Sequence, residues 1–268
     1  MKPRKRFIKL VLCVPAALFF LVISLPLYAA SSKLLVKPDL VRIGALYNGT
    51  KVNFSAEIPR GCDAIVEVTG GDVEETVVQK VRRFGLWMNG REITVKGAPS
   101  LYLSMSSEPA LLTGPGVASL WRYEALKKGV SFSGHIKVTE NDKIFKEFLK
   151  LKQSLKLYGV FPGALKVSPS SGARSTVRGS FKLPSNVTPG SYQVSLSVIQ
   201  KGERLFRETV PLKVVMVGFP ELVYRMAKKH AVAYGFLCIT IAALAGLFVG
   251  LVFAKSRAHK GRKSMALK

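Results

Sequence analysis

The apolar run Val232–Ala254, VAYGFLCITIAALAGLFVGLVFA, constrains this chain more than any other stretch. Its residues carry no formal charge, and as a helix they extend roughly 35 Å, more than the ~30 Å hydrocarbon core of a bilayer. In lipid every backbone N–H and C=O needs a partner inside the segment, so a run of this kind crosses as a helix. A soluble core helix of equal length would carry a polar face, whereas only Tyr234, Cys238 and Thr240 interrupt this one weakly. The following tail, residues 255–268, holds Lys255, Arg257, Lys260, Arg262, Lys263 and Lys268 and no acidic residue, which marks a cytoplasmic flank. Steps of four from Cys238 reach Ala242, Gly246, Gly250 and Ala254. Such a stripe of small side chains lets a second helix approach closely, from another protein or a second copy, although Gly and Ala are also common in membrane helices generally.

Residues 1–30 read as an export signal: a basic start, an apolar run from Leu10 to Leu27, then Ala29, Ala30 and Ser31 after the helix-breaking Pro26. An uncleaved N-terminal transmembrane helix is the alternative. Either way both ends of the chain are basic, which places the segment between them outside the cytoplasm.

Lys and Arg number 41 against 16 Asp and Glu, for a formal charge of +25. In a soluble protein such an excess would suggest nucleic acid. Here no recognition motif accompanies it and the topology removes the region from the cytoplasm, so no nucleic-acid partner is expected. Anionic lipid headgroups or an acidic partner suit the charge, as does a merely solvated basic surface. Of Cys13, Cys62 and Cys238, two fall in apolar segments, so the region between them has no second thiol with which to form an internal disulfide. Cys62, in the turn-like PRGCD, is expected to be an exposed, inert thiol.

From Leu34 the pattern becomes short alternating runs punctuated by Gly, Pro and Asn. Strands are expected at 40–47, 51–58, 64–69, 75–80, 91–96 and 101–106, and after Gly159 at 164–167, 176–183, 192–200 and 204–217. Between the two groups, 111–126 and 140–158 read as helices. In the second, Ile144, Phe145, Phe148, Leu151, Leu155 and Tyr158 recur at three- and four-residue steps, Lys143, Lys146, Lys150 and Lys152 point elsewhere, and Asn141 or Asp142 serves as N-cap. Its apolar stripe either lies on a membrane or, the favoured reading, packs on the strands.

The expected fold is therefore mainly β with a helical insert: immunoglobulin-like β-sandwich units outside the membrane plus one C-terminal transmembrane helix. The divisions are 1–30 export segment, 31–106 first β unit, 107–158 helical bridge, 159–218 second β unit, 219–231 a short helical juxtamembrane linker, 232–254 membrane helix and 255–268 basic tail. The second strand group either completes the first sandwich or stands alone, with two units favoured.

Catalytic groupings do not emerge. His230 and His259 flank the membrane helix, leaving His135 on an expected strand, and Glu74-Glu75 point to opposite faces of another. No HExxH, paired CxxC, P-loop or GxGxxG pattern occurs, so no enzyme activity, cofactor or metal is expected. One stretch stands out, FGLWMNG at 84–90, with Trp87 among Arg82, Arg83 and Arg91 and with Tyr102 following. These residues form either an aromatic and basic contact surface, for a ligand or an envelope polymer, or simply large core side chains.

The ordered set FGLWMNG…APSLYLSMSSEPALL, LPSNVTPGSYQVSL and PLKVVMVGFPELVYRMAKKHAVAYG, leading into the final helix, resembles a transmembrane protein family first catalogued in Alphaproteobacteria. The resemblance implies a signal segment, an extracytoplasmic domain at the bacterial inner membrane and one C-terminal membrane helix. It assigns no activity. Family members are often encoded near a permease resembling sulfite or sulfonate exporters, which implies an accessory role beside such a partner. The family pattern often places an aromatic residue after the glycine in the last helix, where this chain has Leu247 after Gly246.

Overall fold

Strand β3 (Thr50–Pro59) buries Val52, Phe54, Ala56 and Ile58 and exposes Lys51, Asn53 and Glu57, the alternation of a strand with one face on a core. The same rule operates along most of the chain. The computed structural model describes residues 33–113, 122–134, 138–170 and 172–265. The expected export segment, His135 and the middle of the expected helix 111–126 lie outside the described residues, as do the side chains of Val252 and of residues 254–265.

The remaining strands are β1 (Leu35–Lys37), β2 (Leu40–Ile43), β4 (Asp63–Thr69), β5 (Asp72–Arg83), β6 (Leu86–Pro99), β7 (Tyr102–Ser106), β8 (Ser131–Gly134), β9 (Tyr158–Phe161), β10 (Lys166–Pro169), β11 (Arg174–Leu183), β12 (Gly190–Gln200) and β13 (Glu203–Met216). The helices are α1 (Ala110–Thr113), α2 (Tyr123–Gly129), α3 (Asn141–Ser154), α4 (Phe219–Lys229) and α5 (Ala231–Met265). One sheet runs β1-β3-β11-β10, a second β2-β13-β12-β4-β7-β9, and a third β5-β6-β8. The fold is mainly β with one C-terminal apolar helix.

The expectation of separate β units at 31–106 and 159–218 is corrected by the strand pairing. β3 pairs with β11 along its whole length, and β4 sits between β12 and β7. The physical reason is β4 itself: Ala64–Val68 are buried on both faces, so the strand needs a partner on each edge. The first half offers β7 and the second supplies β12. Val52, Ile58, Val177 and Leu183 of one sheet and Val66, Val68, Leu196 and Leu212 of the other then share one apolar cluster. Each such side chain contributes about 1.5–3 kcal/mol on burial.

The helical bridge differs from its expected form in register. α3 ends at Ser154 because Lys156 takes φ 58°, and Tyr158 belongs to β9 instead of the helix. Its buried face is Ile144, Phe145, Phe148 and Lys152, while Leu151 and Leu155 stay exposed. Lys152 therefore points inward, contrary to the sequence pattern. Glu140, with no side-chain capping bond, occupies the N-cap place expected for Asn141 or Asp142. Phe148 joins the main core, so the helix packs on the strands.

Candidate functional site

The expected strands 75–80 and 91–96 are parts of a longer ribbon, β5 and β6, that turns at Phe84 and Gly85. Both residues have positive φ, 49° and 83°, the pattern of the two-residue hairpin turn that matches the strand twist. Asparagine or glycine normally fills the first place; a bulky phenylalanine there is a backbone outlier. The sequence signal was present, since Phe-Gly between two alternating runs stands where Asn-Gly would be read as a hairpin.

Every residue from Arg82 to Glu92 is exposed. Phe84 is fully exposed, Trp87 is 71% exposed, and Leu86 and Met88 accompany them. Arg82 pairs across the ribbon with Trp87 and Arg83 with Leu86, and Arg82 Nε donates to the Gly85 carbonyl at 3.4 Å. The tip thus exposes apolar side chains on both faces of the ribbon, Trp87 beside Arg82 on one and Leu86 beside Arg83 on the other, with Phe84 at the turn. Arg91 lies further down the arm, bound to Glu140 at 3.0 Å.

Tyr102 does not join this surface. It is 2% exposed, and its hydroxyl donates to Glu67 Oε1 at 3.2 Å. Its ring packs against Tyr123 and Tyr158. The assignment of Tyr102 as a surface contact is therefore corrected: β7 alternates so that Tyr102 faces outward from the six-stranded sheet, and these rings cover it. Burial pushes the Glu67 carboxyl above its ordinary range, against the pull of Arg207 and of the Tyr102 hydroxyl. Burial, with Glu67 close by, raises Tyr102 as well. Cys62 is buried, not exposed as its turn suggested, and burial raises its thiol, which disfavours the reactive thiolate.

Two further features escaped the sequence reading. Lys152 Nζ, on a side chain 3% exposed, donates to both Glu75 carboxylate oxygens at 2.8 and 2.7 Å and stands over the rings of Phe148 and Tyr158. A cleft of about 1130 Å³ opens between the two main sheets, with Leu103, Met105, Tyr158, Phe161 and Phe181 on its walls and Lys156 and Lys182 among its lining. Neither has a linear motif, because the partners are far apart in sequence. Among the described residues no group of three or more His, Cys, Asp or Glu side chains is placed to hold a metal ion.

α5 is one helix from Ala231 to Met265 and carries a stretch, Ala231–Leu251, long and apolar enough to cross a membrane, with none of it buried. On the small-residue stripe Cys238 is exposed and a side chain added at Gly246 or Gly250 would meet nothing within 4 Å; Ala242 is exposed as well, and the Ala254 side chain is outside the described ones.

Residues 33–255 match the family model described as Putative transmembrane protein (Alph_Pro_TM). The chain belongs to that family, which agrees with the resemblance carried by its motifs and, with the apolar helix, makes it a membrane-associated protein. Comparison with curated proteins gives no match.

Proposed function

We propose that this Alph_Pro_TM family member is a non-enzymatic, single-pass protein of the bacterial inner membrane that serves as an accessory or assembly subunit of a membrane complex. Its β body, residues 31–230, stands on the extracytoplasmic side as an immunoglobulin-like sandwich, and the tail 255–268 is cytoplasmic. The partner favoured by the family's gene neighbourhood is a permease of the sulfite or sulfonate exporter type.

The observation that carries this reading is Phe84. A fully exposed phenylalanine at φ 49° gains nothing from the fold and strains the backbone. A residue that breaks the local rules without helping the fold marks a functional surface. Phe84 at the turn, Trp87 on one face of the ribbon and Leu86 and Met88 on the other give a partner an exposed aromatic and apolar tip, with Arg82 and Arg83 alongside. The stripe Cys238–Ala242–Gly246–Gly250–Ala254 offers the same partner, or a second copy of the chain, a face within the bilayer. Extraction of the full chain in mild detergent and identification of what co-purifies tests the proposal. Recovery only as an isolated monomer counts against it.

The cleft favours a second reading, an extracytoplasmic module for a ligand or an envelope polymer, with Phe161 and the lysines of the cleft as its contacts in place of Tyr102. Binding of envelope polysaccharide fragments that disappears in Phe161→Glu would support it. Equal binding by both proteins would remove it.

A further inference from the structure

Helix α4 joins the body to the anchor, and docking on a partner leaves it unused. Phe219, Leu222, Val223 and Met226 recur at three- and four-residue steps on one face, whereas Glu221, Arg225 and Lys228 share the opposite face. No residue of the helix is buried: Phe219 and Leu222 are exposed and Val223 and Met226 half-exposed. On a soluble protein such a stripe would be a liability.

The position of the helix says what covers it. At its C-terminal end His230 leaves the helical path, with φ −133° and ψ 49°, and the span begins at Ala231. With Ala231–Leu251 spanning the bilayer, as the proposed function has it, the last turn, with Lys228 and Lys229, sits at the membrane–water boundary. At the other end, Val217 N–H donates to the Ile43 carbonyl of the sheet and Leu222 N–H to the Gly218 carbonyl. Gly218 takes φ 72°, a reversal only glycine makes freely. Sheet and helix are thus separated by Val217 and Gly218 alone. Eleven residues of helix cover only about 16 Å, so α4 cannot carry its apolar face far from the boundary.

We propose that α4 lies in the plane of the interface, its apolar stripe in the acyl-chain boundary and Arg225, Lys228 and Lys229 against anionic phospholipid headgroups. The short link to β13 then holds the β body at a set attitude to the bilayer. A basic amphipathic helix binds a membrane in this way through apolar burial plus attraction to anionic lipid. Each Lys or Arg near such a surface strengthens binding about fivefold. The Glu221–Arg225 ion pair, at 3.8 Å, lies on the same polar face, so Glu221 tempers the pull of Arg225 on the headgroups.

The test uses the full chain in nanodiscs, with Cys13, Cys62 and Cys238 replaced and single spin labels introduced through Leu222→Cys, Met226→Cys, Glu221→Cys or Lys228→Cys. Discs are made of phosphatidylcholine alone or with phosphatidylglycerol. Labels at 222 and 226 are expected to collide with oxygen dissolved in lipid, and those at 221 and 228 with a water-soluble nickel complex. The contrast should grow with phosphatidylglycerol. With labels at 221, 222 and 226, that growth should be lost in Arg225→Gln/Lys228→Gln/Lys229→Gln while the circular dichroism spectrum stays unchanged. Equal nickel access on both faces overturns the proposal. So does an apolar face shielded from both reagents, which would mean protein covers it, and so does wild-type indifference to phosphatidylglycerol.

Discussion

Lys152 occupies a place on α3 where an amphipathic helix ordinarily puts leucine, and the two ends of its ion pair differ in what they can recover. The lysine side chain is 3% exposed and that of Glu75 is 40% exposed. In Glu75→Ala the ammonium stays buried with only the Phe148 and Tyr158 rings beside it, at a cost of about 2 kcal/mol once the exposure of Glu75 is allowed for. In Lys152→Met the stem still packs and the carboxylate regains water, so the loss is about 1 kcal/mol or less. Urea unfolding midpoints of the two variants check this; equal losses would refute the asymmetry. Glu67 makes a prediction in pH. Its folded-state carboxyl lies above the ordinary 4.5 because of burial, so the folded state holds this proton more tightly than the unfolded chain. Lowering pH from neutral through that raised value toward 4.5 should therefore move thermal stability in the wild type's favour relative to the non-titrating Glu67→Gln. Movement the other way would mean that the Arg207 interaction, with 3.6 Å between the charged atoms, outweighs burial. Neither pair was legible in the sequence. Lys152 and Glu75 are 77 positions apart, and composition could not reveal that Tyr102 is covered by Tyr123 and Tyr158.

Most strands were legible, because alternation and turn residues act locally: β3, β11, β12 and β13 lie within two residues of their expected limits. What alternation missed were the short β1 and β9, too brief for a period to register, and the extent of the β5–β6 ribbon, whose exposed tip has no buried face to alternate against. The tip allows function to be separated from folding. Asparagine tolerates positive φ far better than phenylalanine, so Phe84→Asn should leave the fold intact and stabilise it by up to ~1 kcal/mol. With the tip as the proposed docking site, the same substitution should abolish recovery of the proposed partner from detergent extracts. Retained recovery would show the tip to be dispensable. On α5, Gly246→Leu or Gly250→Leu fills the open side of the small-residue stripe without harming insertion, since leucine favours the membrane. Membrane fractionation should be unchanged and recovery of the proposed partner reduced. Unchanged recovery would assign that face to lipid.

At the scale of the whole molecule, strand order decides how the body responds to damage. The sequence showed two groups of strands but not their partners, since edge complementarity between β3 and β11, more than a hundred residues apart, leaves no local trace. Interleaving makes the two groups energetically one. β4 loses an edge if β12 detaches, and β3 loses its longest partner if β11 does. Leu183, at the end of β11, is fully buried in the shared cluster. Leu183→Ala should cost about 2–5 kcal/mol, the range for such truncations in packed cores. Were the halves independent, hydrogen exchange would accelerate only in residues 159–218. In an interleaved body the amides of β4, far away in sequence, must open with those of β12. Peptide-resolved hydrogen–deuterium exchange on the full chain is therefore expected to show the same loss of protection in Ala64–Val68 as in Val194–Val198. Loss confined to the second group would mean that the sheets open separately despite their shared core.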